Sequence, residues 1–240
     1  LAAGLSMKGK KILVIDLDPQ GNATTGLGLS NTATSDDTIY SVLNGDRKIS
    51  EVIHQTKFEN LSLITSNVDL SGLEVETVGD SRRVFKLKDE LTSILNDSRA
   101  SYDYILIDCP PSLSLLTIMA LVASRDLLVP LQTEFFALEG LTQLMKTIER
   151  IKSNLNPSLE IKGILLTMFD KRNKLSNQVE FEARNYFKEK VYITVIPRNV
   201  RLSEAPSHGI PVLLYDNSCP GSKAYSKFTE EFLQKDKQFE

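Results

Sequence analysis

The chain has 240 residues, 41% of them apolar and 25% charged, with a formal net charge of −3. This length and composition fit one α/β domain with a sizeable core and exclude a mainly disordered chain. The best candidate for a membrane span, 118–123, is far shorter than the roughly 18 apolar residues that a crossing helix needs. Cys109 and Cys219 form neither a disulfide framework nor CxxC zinc spacing, and no secretory signal is visible, so a reducing cytoplasm is the expected setting.

Residues 1–10 place Leu and Ala at helical spacing, yet no Ser, Thr, Asp or Asn precedes them as a cap. They read as the back half of a helix whose front lies upstream. Residues 11–16 form a continuous apolar run closed by an acid, the pattern of a strand buried on both faces of a parallel sheet. Similar runs recur at 61–65, 104–108, 127–131, 164–168 and 192–196. Helical periodicity fills the intervals at 40–53, 82–95, 113–123, 138–151, 177–187 and 222–233. Strands alternating with helices predict right-handed βαβ units and a doubly wound, mostly parallel sheet with helices on both faces. No repeat, low-complexity tract or linker interrupts the pattern, and a single domain over 1–240 is the expected organisation.

In such sheets ligands bind outside the carboxyl ends of the strands. Two of the segments found there begin with an acid: Asp16-Leu17-Asp18-Pro19-Gln20-Gly21-Asn22 and Asp108-Cys109-Pro110-Pro111-Ser112. A carboxylate at a strand end can grip the hydration shell of Mg2+, an ion that keeps several waters and uses few protein ligands. The same residue type also caps strands and helices, so Asp108 taken alone is ambiguous. Asp16 and Asp18 share one face of an extended segment and repel each other unless a cation or donor sits between them. The small, glycine-rich residues 19–28 suit a loop around a phosphate or metal.

The string Ile-Asp-Leu-Asp-Pro-Gln-Gly-Asn-Ala-Thr-Thr-Gly-Leu-Gly at 15–28 resembles the switch I region of the ParA/Soj chromosome- and plasmid-partitioning ATPases. Tyr-Asp-Tyr-Ile-Leu-Ile-Asp-Cys-Pro-Pro-Ser-Leu at 102–113 resembles their Walker B strand and switch II, and the segments 134–141 and 195–209 resemble two further family motifs. The four matches follow the family's order and span nearly the whole chain. The resemblance implies a P-loop NTPase-like fold, ATP and Mg2+ as cofactors, and an ATP-driven homodimer that binds DNA without sequence preference. It also implies a ParB-like partner that stimulates hydrolysis, and a cytoplasmic, nucleoid-associated setting. By position it makes Asp18 the residue required for hydrolysis, Asp108 the Mg2+-holding carboxylate and Asp16 its support. It places Met168, Asp170, Pro197 and Asn199 on the nucleotide's adenine side.

One part of the family pattern has no match. No G-x-x-x-x-G-K-S/T string occurs; Gly9-Lys10 is followed by Lys11. In the family, residues matching 1–7 follow the deviant Walker A loop on its helix, so the first strand and phosphate cradle are expected to be missing from this chain and ATP binding to fail. The rival expectations are an inactive fragment that serves as a DNA- or partner-binding module, and a related cargo-positioning ATPase.

Charge is unevenly spread. Residues 146–201 hold twelve Lys/Arg against six Asp/Glu, +6 for that segment, which leaves −9 elsewhere. A segregated positive face suits non-specific contact with phosphates. Lys171, Arg172, Lys174, Arg198 and Arg201 lie on predicted post-strand loops, and the resemblance places DNA-binding arginines at Arg172 and Arg201. His54 and His208 lack metal spacing, and Cys109 reads as a small buried filler. The amphipathic, mixed-charge stretch at 225–235 is unlike the basic membrane-surface helix of the related MinD-type ATPases, so no membrane partner is expected.

Overall fold

The computed structural model describes residues 1–30, 36–96 and 101–237. In chain order the elements are α1 (Ala2–Met7), β1 (Ile12–Asp16), α2 (Asn22–Gly26), α3 (Ile39–Asn44), β2 (His54–Gln55), β3 (Leu61–Ile64), α4 (Leu73–Glu76) and α5 (Lys86–Leu95). They continue as β4 (Tyr104–Asp108), α6 (Leu115–Ala123), β5 (Asp126–Gln132), α7 (Ala137–Asn154), β6 (Glu160–Thr167), α8 (Lys174–Phe187), α9 (Val200–Glu204), α10 (Val212–Tyr215) and α11 (Pro220–Asp236). The chain divides into two compact units. Ala2–Ser124 with Glu204–Pro211 make the N-terminal unit, and Arg125–Ser203 with Val212–Glu240 and Leu1 make the C-terminal unit.

The N-terminal unit is built on a four-stranded sheet of order β2-β3-β1-β4. β1 runs parallel to both neighbours, and every one of its residues is buried, which is why its sequence is an unbroken apolar run. The register pairs Ile12 with Tyr104 and carries through to Asp16 beside Asp108, so both acids arrive at one level of the sheet. Leu13, Ile15 and Ile64 pack against Val42 and Leu43 of α3, Leu87, Leu91 and Ile94 of α5, and Leu116 and Met119 of α6. Each such side chain contributes about 1.5–3 kcal/mol on leaving water.

The helix expected over 40–53 is shorter. Gly45 closes α3 with its N–H on the carbonyls of Ser41 and Val42; a 3-10 turn at Ile49–Glu51 and the short antiparallel strand β2 follow. The expectation at 82–95 resolves into a 3-10 turn, Arg83–Phe85, leading into α5.

In the C-terminal unit β5 and β6 pair in parallel, with an irregularity between Leu127 and Leu128. Val129, Leu131, Ile164 and Leu166 pack with Leu141 of α7 and Ala183 of α8. Phe228 of α11 meets the buried Tyr192 edge to face, with ring centroids 4.8 Å apart. The strand expected at 192–196 does not form. Val191 and Pro197 make isolated parallel bridges to Ile164 and Phe169, and Tyr192 and Ile196 donate to the carbonyls of Ile164 and Leu166 at 2.9 and 2.8 Å. Between them the Glu231 carboxylate accepts the N–H groups of Ile193 and Thr194 at 2.6 and 2.9 Å. Arg184 donates to the carbonyls of Tyr192 and Ile193 at 3.1 and 3.2 Å. Side chains of α8 and α11 therefore take the backbone groups that a ladder would have used.

Replacing Glu231 by Ala strands those two N–H groups and is expected to cost about 1.5–3 kcal/mol in urea unfolding. Lys227→Ala, at an exposed position on the same helix, is expected to stay within about 0.5 kcal/mol of the parent.

Candidate functional site

The site begins with a buried acid. Asp16 is fully buried at the end of β1, and both carboxylate oxygens are engaged. Oδ1 accepts from the Asp18 N–H at 3.2 Å, and Oδ2 accepts from the Thr24 N–H and the Thr24 hydroxyl, each at 2.7 Å. Thr24 Oγ1 in turn accepts the Ser66 N–H at 3.0 Å, and the Ser66 hydroxyl donates to the Asp18 carbonyl at 2.7 Å. Burial raises the Asp16 pKa and the bonds from Thr24 and Asp18 oppose that rise. Asp16 thus shapes the loop and does not present an open oxygen to an ion. Thr24 and Ser66 went unread in the sequence: Thr24 sits inside the matching string, and Ser66 reaches the loop from 42 residues away.

Asp18 follows on the turn that this network holds. Its carboxylate accepts the Gln20 N–H at 3.0 Å, and its carbonyl accepts the Gly21 N–H at 2.9 Å. Asp108 lies open at the tip of β4, beside Asp16 in the register. Loss of hydration, then the negative charges of Asp16 and Asp18, push its carboxyl up to about 6. Among the described residues no group of three His, Cys, Asp or Glu side chains is arranged to hold a metal. The donors fit Mg2+ only in the mode in which one carboxylate holds the ion through its waters. Cys109, whose thiol burial and the neighbouring acids push up to about 12, is protonated at neutral pH and no nucleophile.

A second loop braces the first. Residues Ala205–His208 pack on α2 within the N-terminal unit. Gly28 and Gly209 both adopt positive φ, 80° and 60°, and touch so closely that a Cβ on Gly209 would lie 2.7 Å from the Gly28 Cα.

In the C-terminal unit the structure brings the segments 167–170 and 197–199 side by side. Phe169 donates to the Ile196 carbonyl at 3.1 Å, and Arg198 donates to that of Phe169 at 3.0 Å. Met168 takes a left-handed conformation, φ 54°, and its carbonyl accepts the Thr133 hydroxyl at 3.4 Å. Asn199 keeps a buried side-chain oxygen with no hydrogen-bond donor among the described residues. Asp170 is committed elsewhere: its carboxylate accepts Arg172 Nε at 3.1 Å and Nη2 at 2.9 Å, and these bonds hold its pKa down to about 2.

Lys171, Arg172, Lys174, Arg198 and Arg201 are all exposed on this unit. The Arg172 side chain is 91% exposed despite its carboxylate partner. Arg201 lies 3.5 Å from Asp216 at a cleft of about 500 Å³ lined also by Leu214, Tyr215 and Asn217.

Acids at the ends of adjacent parallel strands, with a glycine-rich loop between strand and helix, define a P-loop NTPase-like α/β protein. The AAA domain family model AAA_31 matches residues 1–161. The chain is 50% identical over 237 residues to the chromosome partitioning protein ParA of Caulobacter vibrioides, covering 99% of this chain and 88% of that protein. It is 47% identical over 231 residues to the sporulation initiation inhibitor protein Soj of Bacillus subtilis, covering 96% and 89%. Cobyrinic acid a,c-diamide synthase from Mycobacterium smegmatis, solved with bound ADP and magnesium, superposes with a TM-score of 0.82 at 30% identity, covering 100% of this chain and 88% of that one. The chain belongs to the ParA/Soj family of chromosome-partitioning ATPases. Among the described residues no helix is long and apolar enough to cross a membrane.

Two outcomes test the site. Gly209→Ala forces either glycine loop to move and is expected to lower stability by about 1–3 kcal/mol in chemical denaturation. The raised Asp108 pKa means that the folded state holds the proton more tightly than the unfolded chain. Ionisation therefore costs stability as pH rises from about 4 through about 6. Asp108→Asn is expected to melt higher than the parent at neutral pH and to match it below about pH 4.

Proposed function

We propose that this protein drives chromosome or plasmid partition as an ATP-dependent homodimer that binds DNA without sequence preference. In this reading residues 1–240 belong to a single ATPase domain that acts in the cytoplasm on the nucleoid, and a ParB-like protein stimulates its hydrolysis. What supports the reading is Asp108 beside Asp16 at the ends of β4 and β1, within reach of the charge of Asp18 on the turn that follows, in a chain half identical to a chromosome partitioning protein.

ATP with Mg2+ supplies the phosphoryl-transfer chemistry when bound. Asp108, raised in pKa and facing two other carboxylates, gains most from a cation and would hold Mg2+ through its hydration shell. Asp18 would orient the attacking water, its carboxylate fixed by the Gln20 N–H. Asp16 supports both by holding the turn. In the C-terminal unit the unpaired Asn199 oxygen suits the exocyclic amino group of adenine, with Met168 and Pro197 beside it for base contact. Asp170 enters this reading through Arg172, which it orients.

For DNA, the exposed Lys171, Arg172, Lys174, Arg198 and Arg201 supply the positive charge that backbone phosphates attract. Arg172 and Arg201 each exchange a carboxylate neighbour for a phosphate, so their gain is smaller than that of an unpaired arginine.

Steady-state phosphate release tests the catalytic assignment. In a chain supplied with the family's deviant Walker A loop, Asp18→Ala is expected to keep ATP binding and to lose turnover by about 10²-fold or more. Unchanged turnover removes Asp18 from the chemistry. A salt titration of DNA affinity tests the basic face. Arg172→Ala is expected to reduce the slope of log K by roughly one across unrelated sequences. DNA binding that ignores ATP would favour a binding module over an ATP-driven dimer.

A further inference from the structure

Arg172 and Arg201, the two arginines on which the DNA reading leans, each face an acid that the backbone holds in place. Asp170 Oδ1 accepts the Arg172 backbone N–H at 3.0 Å, and the Asp170 carbonyl accepts the Asn173 N–H at 3.0 Å. The Arg172 guanidinium adds Nε on Oδ1 at 3.1 Å and Nη2 on Oδ2 at 2.9 Å. Asp216 Oδ1 accepts the Ser218 and Cys219 N–H groups, each at 3.1 Å, and the Ser218 hydroxyl at 2.8 Å. Its Oδ2 lies 3.5 Å from Arg201 Nε.

The two members of each pair differ in freedom. The Arg172 side chain is 91% exposed against 31% for Asp170, and that of Arg201 is 51% exposed against 27% for Asp216. An exposed arginine on its long stem turns to another acceptor at little cost. The acids stay, because their bonds from backbone N–H groups do not depend on the guanidinium. The bonds from Arg172 hold the Asp170 carboxyl down to about 2, and those from Ser218 and Cys219 lower that of Asp216, so both are ionised at neutral pH. The loop beside Asp170 is pinned as well: the Asn177 amide donates to the carbonyls of Lys171 and Asn173 at 3.1 and 3.0 Å. Each negative charge therefore remains at the basic surface wherever its arginine points.

We propose that Asp170 and Asp216 restrain the DNA face: each competes with a backbone phosphate for its arginine and repels the phosphate that takes it, so the chain holds DNA more weakly than its exposed cations alone would. The proposal rests on the DNA reading given above and concerns how tightly phosphates are held. A phosphate that reaches Arg172 displaces an anion already there. The freed carboxylate then draws a cation, which offsets one counterion released from the DNA. In the free protein Asp170 orients Arg172; against DNA it is a rival. The opposite role, a carboxylate that stays bound and aims the guanidinium at DNA, would set two anions on one exposed cation.

The experiment is a salt titration of the affinity of the full chain for a labelled random-sequence DNA duplex, in paired runs with and without ATP and Mg2+. Asp170→Asn keeps the oxygen that accepts the Arg172 N–H and removes only the charge, and a circular dichroism spectrum like the parent's shows the fold intact. It is expected to tighten DNA binding by about three-fold or more at low salt and to steepen the slope of log K by up to about one. Asp216→Asn is expected to act in the same direction and less strongly, across its longer contact. Glu182→Gln, an equal change in net charge at an exposed position of α8, is expected to change affinity by less than about two-fold. Weaker binding by Asp170→Asn overturns the proposal, because the acid would then be aiming Arg172. Unchanged affinity overturns it too, as does an equal gain from Glu182→Gln, which would make the effect global. The DNA reading fails separately. Arg172→Ala that leaves affinity and slope as they were, or no DNA binding by any of these proteins in either run, removes the basic face and the restraint with it.

Discussion

The N-terminal unit depends on one buried charge. A carboxylate taken out of water costs several kcal/mol unless donors surround it, and Asp16 has three within 3.2 Å. Those donors come from the loop itself, so satisfying the charge and shaping the loop are the same event. Thr24 passes the constraint on to Ser66 at the end of β3, and Ser66 returns it to the Asp18 carbonyl. The closed circuit fixes the backbone on both sides of Asp18 while leaving its carboxylate only one local bond, from Gln20.

The same circuit sets the electrostatics. With Asp16 fully used, loss of hydration and then the repulsion of the other two acids fall on Asp108 at the strand tip and push its carboxyl up to about 6. An acid in that position is short of a cation, and an ion with its own waters answers the need without a cage of protein ligands. The C-terminal unit handles its charges in the opposite way. Asp170 and Asp216 lie against Arg172 and Arg201, which moderates a strongly basic segment; the bonds from Arg172 lower the Asp170 pKa, and the hydrogen bonds from Ser218 and Cys219, with a lesser contribution from Arg201, lower that of Asp216.

Much of this was legible in the residues. The run ending in Asp16 is as it reads, because a strand buried on both faces admits few polar residues, whereas the run ending in Asp108 forms its strand at the end of the described sheet and is only partly buried. The core stripe of α7, with Leu141 and Ile148 buried, follows its 3.6-residue period. What was not legible depends on partners distant in sequence. Nothing near 192–196 announces that Glu231 will take two of its N–H groups, so a strand-like run became a bridged but irregular segment. Nothing near Ser66 announces Thr24, and the contact of Gly28 with Gly209 joins positions 181 residues apart that each look like an ordinary turn. Asp16 itself was placed correctly at the strand end, but its role as a brace shows only when its donors are seen.

Amide hydrogen exchange on the parent and on Thr24→Val tests the brace most directly. Valine preserves the shape of threonine but removes the hydroxyl that both donates to Asp16 and accepts from Ser66. The account predicts a slowly exchanging Ser66 amide in the parent, and in the variant a Ser66 amide and neighbouring loop amides that exchange at least about ten-fold faster, while the amides of β1 stay protected. Ser66 exchange that is equally slow in both proteins would contradict it, because the loop would then be held by something other than the buried carboxylate and its threonine.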